Sequence, residues 1–159
     1  MSAPPDSAPR DPGELTGMVS VRVADQTFGV PVLQVQDVIV ETAINTVPLA
    51  PPEVAGSLNL RGRIVTAIDL RRRLRAPPRE AGARFISVIV ERRGELYALL
   101  ADDVGDVLWL SPQTFEPTPV TLSPGWRALC DGLYRLDGDL LLALSVERVL
   151  SLDVTAHAA

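Results

Sequence analysis

The chain has 159 residues, with 47% apolar and 22% charged residues, enough for one domain or two small intertwined lobes around a real core and too few for a multidomain enzyme. A formal charge of −5 argues against broad electrostatic attraction to nucleic acid or to anionic lipid. One cysteine, Cys130, and one histidine, His157, leave no cysteine–histidine zinc site and no disulfide framework, and point to a reducing cytoplasm.

Residues 1–15 (MSAPPDSAPRDPGEL) carry four prolines and little apolar surface, so they read as a disordered N-terminal tail. Residues 153–159 read as a second frayed tail. No apolar run approaches the roughly 18–20 residues of a membrane span, and no signal-peptide pattern opens the chain. The folded unit is therefore expected over 16–152.

Within it the dominant period is two. Val19, Val21 and Val23 alternate with Ser20, Arg22 and Ala24, the pattern of a half-buried strand. Phe28, Val30 and Val32 continue it beyond a hairpin turn placed at Asp25-Gln26-Thr27, and Pro31 assigns that strand to a sheet edge or an irregular pairing. The apolar run Val35 to Ile44 carries Asp37 and Glu41, four residues apart and so on one face of a strand. Prolines 48, 51 and 52 interrupt regular pairing, and Pro52 to Ala55 reads as at most one helical turn. Ser57-Leu58, Asn59-Leu60-Arg61-Gly62 and Ile64 to Leu70 form strand, tight turn and strand. Asp69 is placed as the N-cap of a short helix that ends before Pro77-Pro78.

Phe85 to Glu91 and Glu95 to Ala101, joined at Arg92-Arg93-Gly94, make a hairpin apolar on both faces and hence deeply buried. Gly105 to Leu110 adds a strand, and the prolines between 112 and 124 mark an irregular connection. Ala128 to Leu136 and Leu140 to Leu144 form another hairpin around Asp137-Gly138-Asp139, and Ser145 caps a last helix, Val146 to Leu152. About ten short strands with few short helices favour small closed or nearly closed barrels.

Catalytic chemistry finds little support. A nucleophile activated by imidazole needs a rigid histidine, and His157 lies in a tail. Cys130 sits in a strand pattern as a small buried hydrophobe. No glycine-rich phosphate loop occurs. Asp102, Asp103 and Asp106 are a candidate Mg²⁺ or Ca²⁺ set, against the simpler reading of an acidic turn. Arg71, Arg72, Arg73 and Arg75 form the one basic cluster, read as a solvated helix face because no aromatic residues interleave with it. Trp109 and Trp126 read as core or interface anchors. Arg61, with Asp37 and Glu41 as carboxylates on another strand, either staples two strands or is presented at its turn to a partner.

The ordered set Gln26-Thr27-Phe28-Gly29-Val30-Pro31-Val32, Val35-Gln36-Asp37-Val38, Val54 to Gly62, Ile68-Asp69-Leu70-Arg71, Val104 to Leu108 and Leu136 to Leu140 resembles the CheW-type coupling proteins of bacterial chemotaxis, from Met18 to Leu152. That resemblance implies a mainly β fold of two small SH3-like five-stranded β-barrels side by side with short helices. It also implies no catalytic activity, no cofactor, and two partners: the regulatory domain of a chemotaxis histidine kinase and the helical cytoplasmic tip of a chemoreceptor. Such an adaptor is cytoplasmic and recruited to membrane-associated receptor arrays. Carried over by residue, Val35, Asp37, Asn59, Leu60, Arg61 and Gly62 are the receptor-binding set, whereas no motif places the kinase-binding residues. Asp37 stands where many relatives carry Glu, so its pairing with Arg61 is expected to be longer or water-bridged. A small barrel that binds a metabolite or an oligonucleotide, and a metal-dependent enzyme using the three aspartates, are the competing readings.

Overall fold

The computed structural model describes residues 15–40, 43–80 and 82–151. Both expected tails lie outside these residues apart from Leu15, as does Glu41. The strands are β1 (Thr16–Val23), β2 (Gln26–Pro31), β3 (Val35–Val40), β4 (Val54–Leu60), β5 (Arg63–Asp69), β6 (Ile86–Arg92), β7 (Glu95–Ala101), β8 (Asp103–Leu110), β9 (Phe115–Glu116), β10 (Cys130–Leu136) and β11 (Asp139–Leu144), and the helices are α1 (Leu70–Arg73), α2 (Pro124–Leu129) and α3 (Val146–Leu150). They form two mixed sheets. One has six strands in the order β8-β1-β2-β11-β10-β9, and the other has five, β3-β6-β7-β5-β4. Each holds one parallel pair, β2–β11 and β5–β7 respectively, so the ends of the chain build one sheet and its middle builds the other.

Period-two alternation on these strands feeds three cores, because both faces of the central strands are covered. Val19, Val21, Val23, Phe28, Val88, Val90, Leu99 and Leu142 meet in a core shared by the two sheets. The opposite face of the five-stranded sheet buries Leu58, Val65, Ala67, Ile89, Ala98 and Leu100. That of the six-stranded sheet buries Met18, Leu110, Tyr134, Leu141 and Ala143. The expected burial of the β6–β7 hairpin on both faces follows directly from this arrangement.

The mainly β class with a few short helices is as expected. The strand count is six and five rather than five and five, and neither ladder closes on itself. The five-stranded sheet is nonetheless strongly curled. Its edges, β3 and β4, lie four strand spacings apart, roughly 19 Å in a flat sheet, yet Asn45, just downstream of β3, pairs with Ser57 on β4 through two backbone hydrogen bonds of 2.7 Å. Gly56 makes this approach possible: a β-carbon there would stand 2.1 Å from the Asn45 carbonyl oxygen.

Several local expectations change. The first hairpin turns at Ala24 and Asp25, with φ of 51° and 67°, so Gln26 and Thr27 belong to β2. Pro31 ends an internal strand rather than lying on an edge strand; it faces Met18 on β1, and the parallel pairing with β11 extends only to Gly29. Val54 and Ala55 are extended in β4, because pairing with β5 overrides the local helical signal. Residues 124–129 form a helix instead of leading straight into a strand: Ser123 Oγ accepts from Trp126 N–H and Pro124 occupies the first turn. Asp69 and Ser145 cap α1 and α3 as expected, but α3 ends at Leu150 with Ser151 as its C-cap, short of the expected Leu152.

The arginine cluster is divided rather than uniformly solvated. Arg73 donates to the carbonyls of Val149, Arg148 and Ser151 at 2.8, 2.9 and 3.3 Å, which caps the C-terminal end of α3. Arg71 donates twice to Asp102, at 2.9 and 2.8 Å, and Arg79 twice more, at 3.2 and 3.1 Å. Asp102 also accepts from Ala24 N–H at 2.9 Å, so one carboxylate ties the first hairpin to α1 and to the segment after it. Arg72 and Arg75 remain exposed.

Candidate partner-binding site

The turn between β4 and β5 has two residues, Arg61 and Gly62, with φ of 50° and 86°. Two left-handed residues match the twist of the flanking strands, and glycine takes the second position without steric cost. Asn59 Oδ1 accepts the Gly62 N–H at 2.9 Å and pins the turn from its own strand. Arg61 thus stands at the apex with its side chain 78% exposed.

From there its Nη2 donates to Asp37 Oδ2 at 3.0 Å. The bond is direct, which corrects the expectation of a longer or water-bridged pair. Asp37 meets it because a bulge between Val35 and Asp37 shifts the register of β3 against β6, while its Oδ1 accepts from Val38 N–H at 2.8 Å. The carboxylate is therefore oriented on both sides. Because β3 and β4 are opposite edges of the sheet, the pair spans its curl, although at this exposure it contributes only about 0–1 kcal/mol.

The other residues of the set divide by direction. Val35 is half-buried against the shared core, and Leu60 is half-buried against the inner core of the five-stranded sheet. Asn59 and Gly62 act on the turn's conformation. Arg61 and Asp37 are the pair brought together at the surface.

A feature not anticipated from the sequence lies immediately upstream. Val32–Gln34 forms a single 3-10 turn between β2 and β3, and its Val32 and Leu33 line an apolar groove of about 280 Å³ with Leu15, Thr16, Gly17, Pro31 and Trp109. Leu33 is 92% exposed and Trp109 58% exposed. Gly17 is required here, since a β-carbon would stand 2.7 Å from the Trp109 ring and 2.8 Å from Val32 Cγ1. The groove lies on the six-stranded sheet, lined by β1, β2 and β8 and closed by the 3-10 turn, which itself packs against β1 and β6. Its sequence signal, Leu33 out of phase with both strands it joins, is too short to stand out from ordinary loop variation.

Catalytic alternatives lose their geometry. Asp102 is saturated by two arginines and an amide, Asp103 accepts from Val104 N–H, and no group of three metal-binding side chains occurs among the described residues. Cys130 is buried, and burial pushes its thiol up to about 12, far from a reactive thiolate at neutral pH. Trp126 is anchored edge-on against Phe28, and its indole N–H donates to the Leu74 carbonyl at 2.7 Å.

The family model for the CheW-like domain matches residues 17–154. The probable chemotaxis protein CheW of Rhizobium etli is 28% identical over 134 residues, covering 84% of this chain and 86% of its own. The chemotaxis protein CheW of Thermotoga maritima is also 28% identical over 134 residues, with the same coverage of each chain. In three dimensions the crystal structure of the scaffolding protein TtCheW from Thermoanaerobacter tengcongensis superposes with a TM-score of 0.78 at 24% identity, over 87% of this chain and 94% of that one. With the family model matched over nearly all of the described residues, the chain belongs to the CheW-like domain family.

Proposed function

We propose that this chain is a non-enzymatic coupling adaptor of chemotaxis signalling, which joins the helical cytoplasmic tip of a chemoreceptor to the regulatory domain of a histidine kinase. The observation that carries this reading is the family match over 17–154; it does not favour a module that binds a metabolite or an oligonucleotide. The adaptor acts in the cytoplasm at membrane-associated receptor arrays, and its functional unit spans 16–152 between two tails. Each sheet serves as one small SH3-like barrel, a reading supported in the five-stranded sheet by the Asn45–Ser57 bridge and the Arg61–Asp37 pair across its edges.

The receptor-binding set is Val35, Asp37, Asn59, Leu60, Arg61 and Gly62, extended by the adjoining groove. An amphipathic helix places its apolar stripe in the groove of Leu15, Val32, Leu33 and Trp109 and its polar flank beside Arg61. Asn59 and Gly62 hold the turn while Asp37 orients the guanidinium, so little ordering of Arg61 is required on binding. Signalling then depends on differential contacts between the kinase-on and kinase-off assemblies, because a partner that binds both equally shifts neither.

Calorimetric titration of the chain into its cognate kinase regulatory domain, and separately into a receptor-tip helical hairpin, tests the reading. Binding to both is expected, with Arg61→Ala weakening the receptor arm by about tenfold or more and leaving the kinase arm unchanged. Failure to bind any kinase regulatory domain encoded in the same genome overturns the coupling role, and an unchanged receptor arm in Arg61→Ala overturns the site.

A further inference from the structure

Residues 71–84 hold six of the fifteen basic residues and a single acid, Glu80. Arg71, Arg73 and Arg79 are consumed by Asp102, Asp69 and the α3 carbonyls. Arg75 is not. It is exposed, and no acidic side chain among the described residues pairs with it. Its charge is felt nearby: the Arg73 guanidinium is pushed below its ordinary value, first by burial and further by Arg75, against an opposing effect of Glu53.

The backbone at Arg75 is equally unusual. α1 ends with Ala76 N–H donating to the Arg71 carbonyl at 2.7 Å and Arg75 N–H to the Arg72 carbonyl at 3.1 Å, the paired bonds of a Schellman ending. Arg75 occupies the left-handed position of that ending, with φ of 59°, where glycine is the residue without steric cost.

That side chain lines a groove of about 490 Å³ together with Leu74, Ser123, Pro124, Gly125 and Trp126. The floor is preorganised, because Trp126 is fixed by Phe28 on its edge and by the Leu74 carbonyl on its N–H. A rigid aromatic wall beside an unpaired guanidinium fits a segment that supplies an apolar anchor and a carboxylate.

We infer that the groove between the end of α1 and the start of α2 is a docking site for a short acidic protein segment with an apolar anchor, the anchor packing on Trp126 and its carboxylate pairing with Arg75. Arg72, one helical turn earlier and also exposed, strengthens the field at the rim. The site is separate from the Arg61 turn and does not depend on the coupling role.

The test uses the full chain and Arg75→Gly, which removes the guanidinium while placing the favoured residue at the left-handed position. The probe is a fluorescein-labelled, amidated nonapeptide with a central Leu-Phe pair flanked by Glu and Asp, compared by anisotropy with the same peptide carrying Gln and Asn. The acidic peptide is expected to bind with a dissociation constant below about 1 mM, and Arg75→Gly to weaken it by about tenfold while its melting temperature stays at or above that of the parent. Arg72→Gln is expected to weaken it by a smaller factor. Equal affinity for the acidic and neutral peptides, undiminished binding by Arg75→Gly, or no saturable binding of the acidic peptide at about 1 mM overturns the inference.

Discussion

Two aspartate–arginine clusters in this molecule use the same chemistry at different depths. At Asp102, two guanidinium groups and a backbone amide converge on one carboxylate, with the side chains of Asp102, Arg71 and Arg79 only 24%, 20% and 12% exposed. At Asp37, a single guanidinium reaches in from a turn whose arginine is 78% exposed. Solvent screens the second pair and only partly screens the first, so Coulomb attraction that is worth little at the surface becomes a structural tie at the junction. Depth therefore distinguishes an arginine spent on the fold from one left for a partner.

The most severe way to break this comparison is Asp102→Ala. Arg71 then loses its acid in a partly buried setting, Arg79 keeps only Asp69 Oδ2 at 3.6 Å, and Ala24 loses its acceptor, for an expected destabilisation of about 2–3 kcal/mol, less than the cost in a fully buried pair. In thermal unfolding this is a fall of roughly 5–10 °C. A fall of less than about 2 °C would place Asp102 with Asp37 and erase the distinction.

Acid titration sharpens the same contrast with a smaller effect. Burial alone raises the Asp102 carboxyl, but the Arg71 hydrogen bond, the Ala24 amide, the Arg71 charge and Arg79 outweigh it and hold the group below the usual carboxylate range. A folded value below the unfolded one, about 3.9, means that the contribution is fully present above that pH and is lost as the pH falls through the lower folded value. Denaturant unfolding at about pH 6 and about pH 3 should show a larger loss in the parent than in Asp102→Asn. Parallel losses in the two chains would remove Asp102 from the acid response.

What the sequence disclosed follows the range of the interaction concerned. Alternation in β1, the capping aspartate before α1, the Arg61-Gly62 turn and the doubly apolar β6–β7 hairpin are local patterns, and each was legible. The parallel pairs β2–β11 and β5–β7 join strands with no turn between them, so the six-plus-five division was hidden. The fate of the arginine cluster was hidden for the same reason: Arg71 meets Asp102 thirty-one residues away, and Arg73 meets the Val149 carbonyl seventy-six residues away. α2 is a different case. Ser123-Pro124 is a recognisable helix start, but a six-residue helix among prolines carries too little periodicity to override the look of a loop. At the candidate site the turn and Asp37 were legible, whereas the groove of Leu33 and Trp109 depends on the long-range pairing of β1 with β8, which sets Trp109 opposite Gly17, and on Gly17 admitting the indole.

The smallest expected effect is the most discriminating. Arg61→Ala removes an ion pair that crosses the two edges of the five-stranded sheet, and if that pair held the curl, stability should fall as it does at Asp102. At this exposure the expected cost is about 0–1 kcal/mol, with some of it offset because alanine, like arginine, must take the left-handed position at φ of 50° and brings fewer side-chain rotamers to order. The curl is held instead by the Asn45–Ser57 bridge and by the inner core of Leu58, Val65, Ile89 and Leu100. A melting temperature within about 3 °C of the parent, together with lost receptor binding, assigns the guanidinium to recognition; a drop comparable to that of Asp102→Ala would make the turn a staple and return the receptor contact to the apolar groove alone.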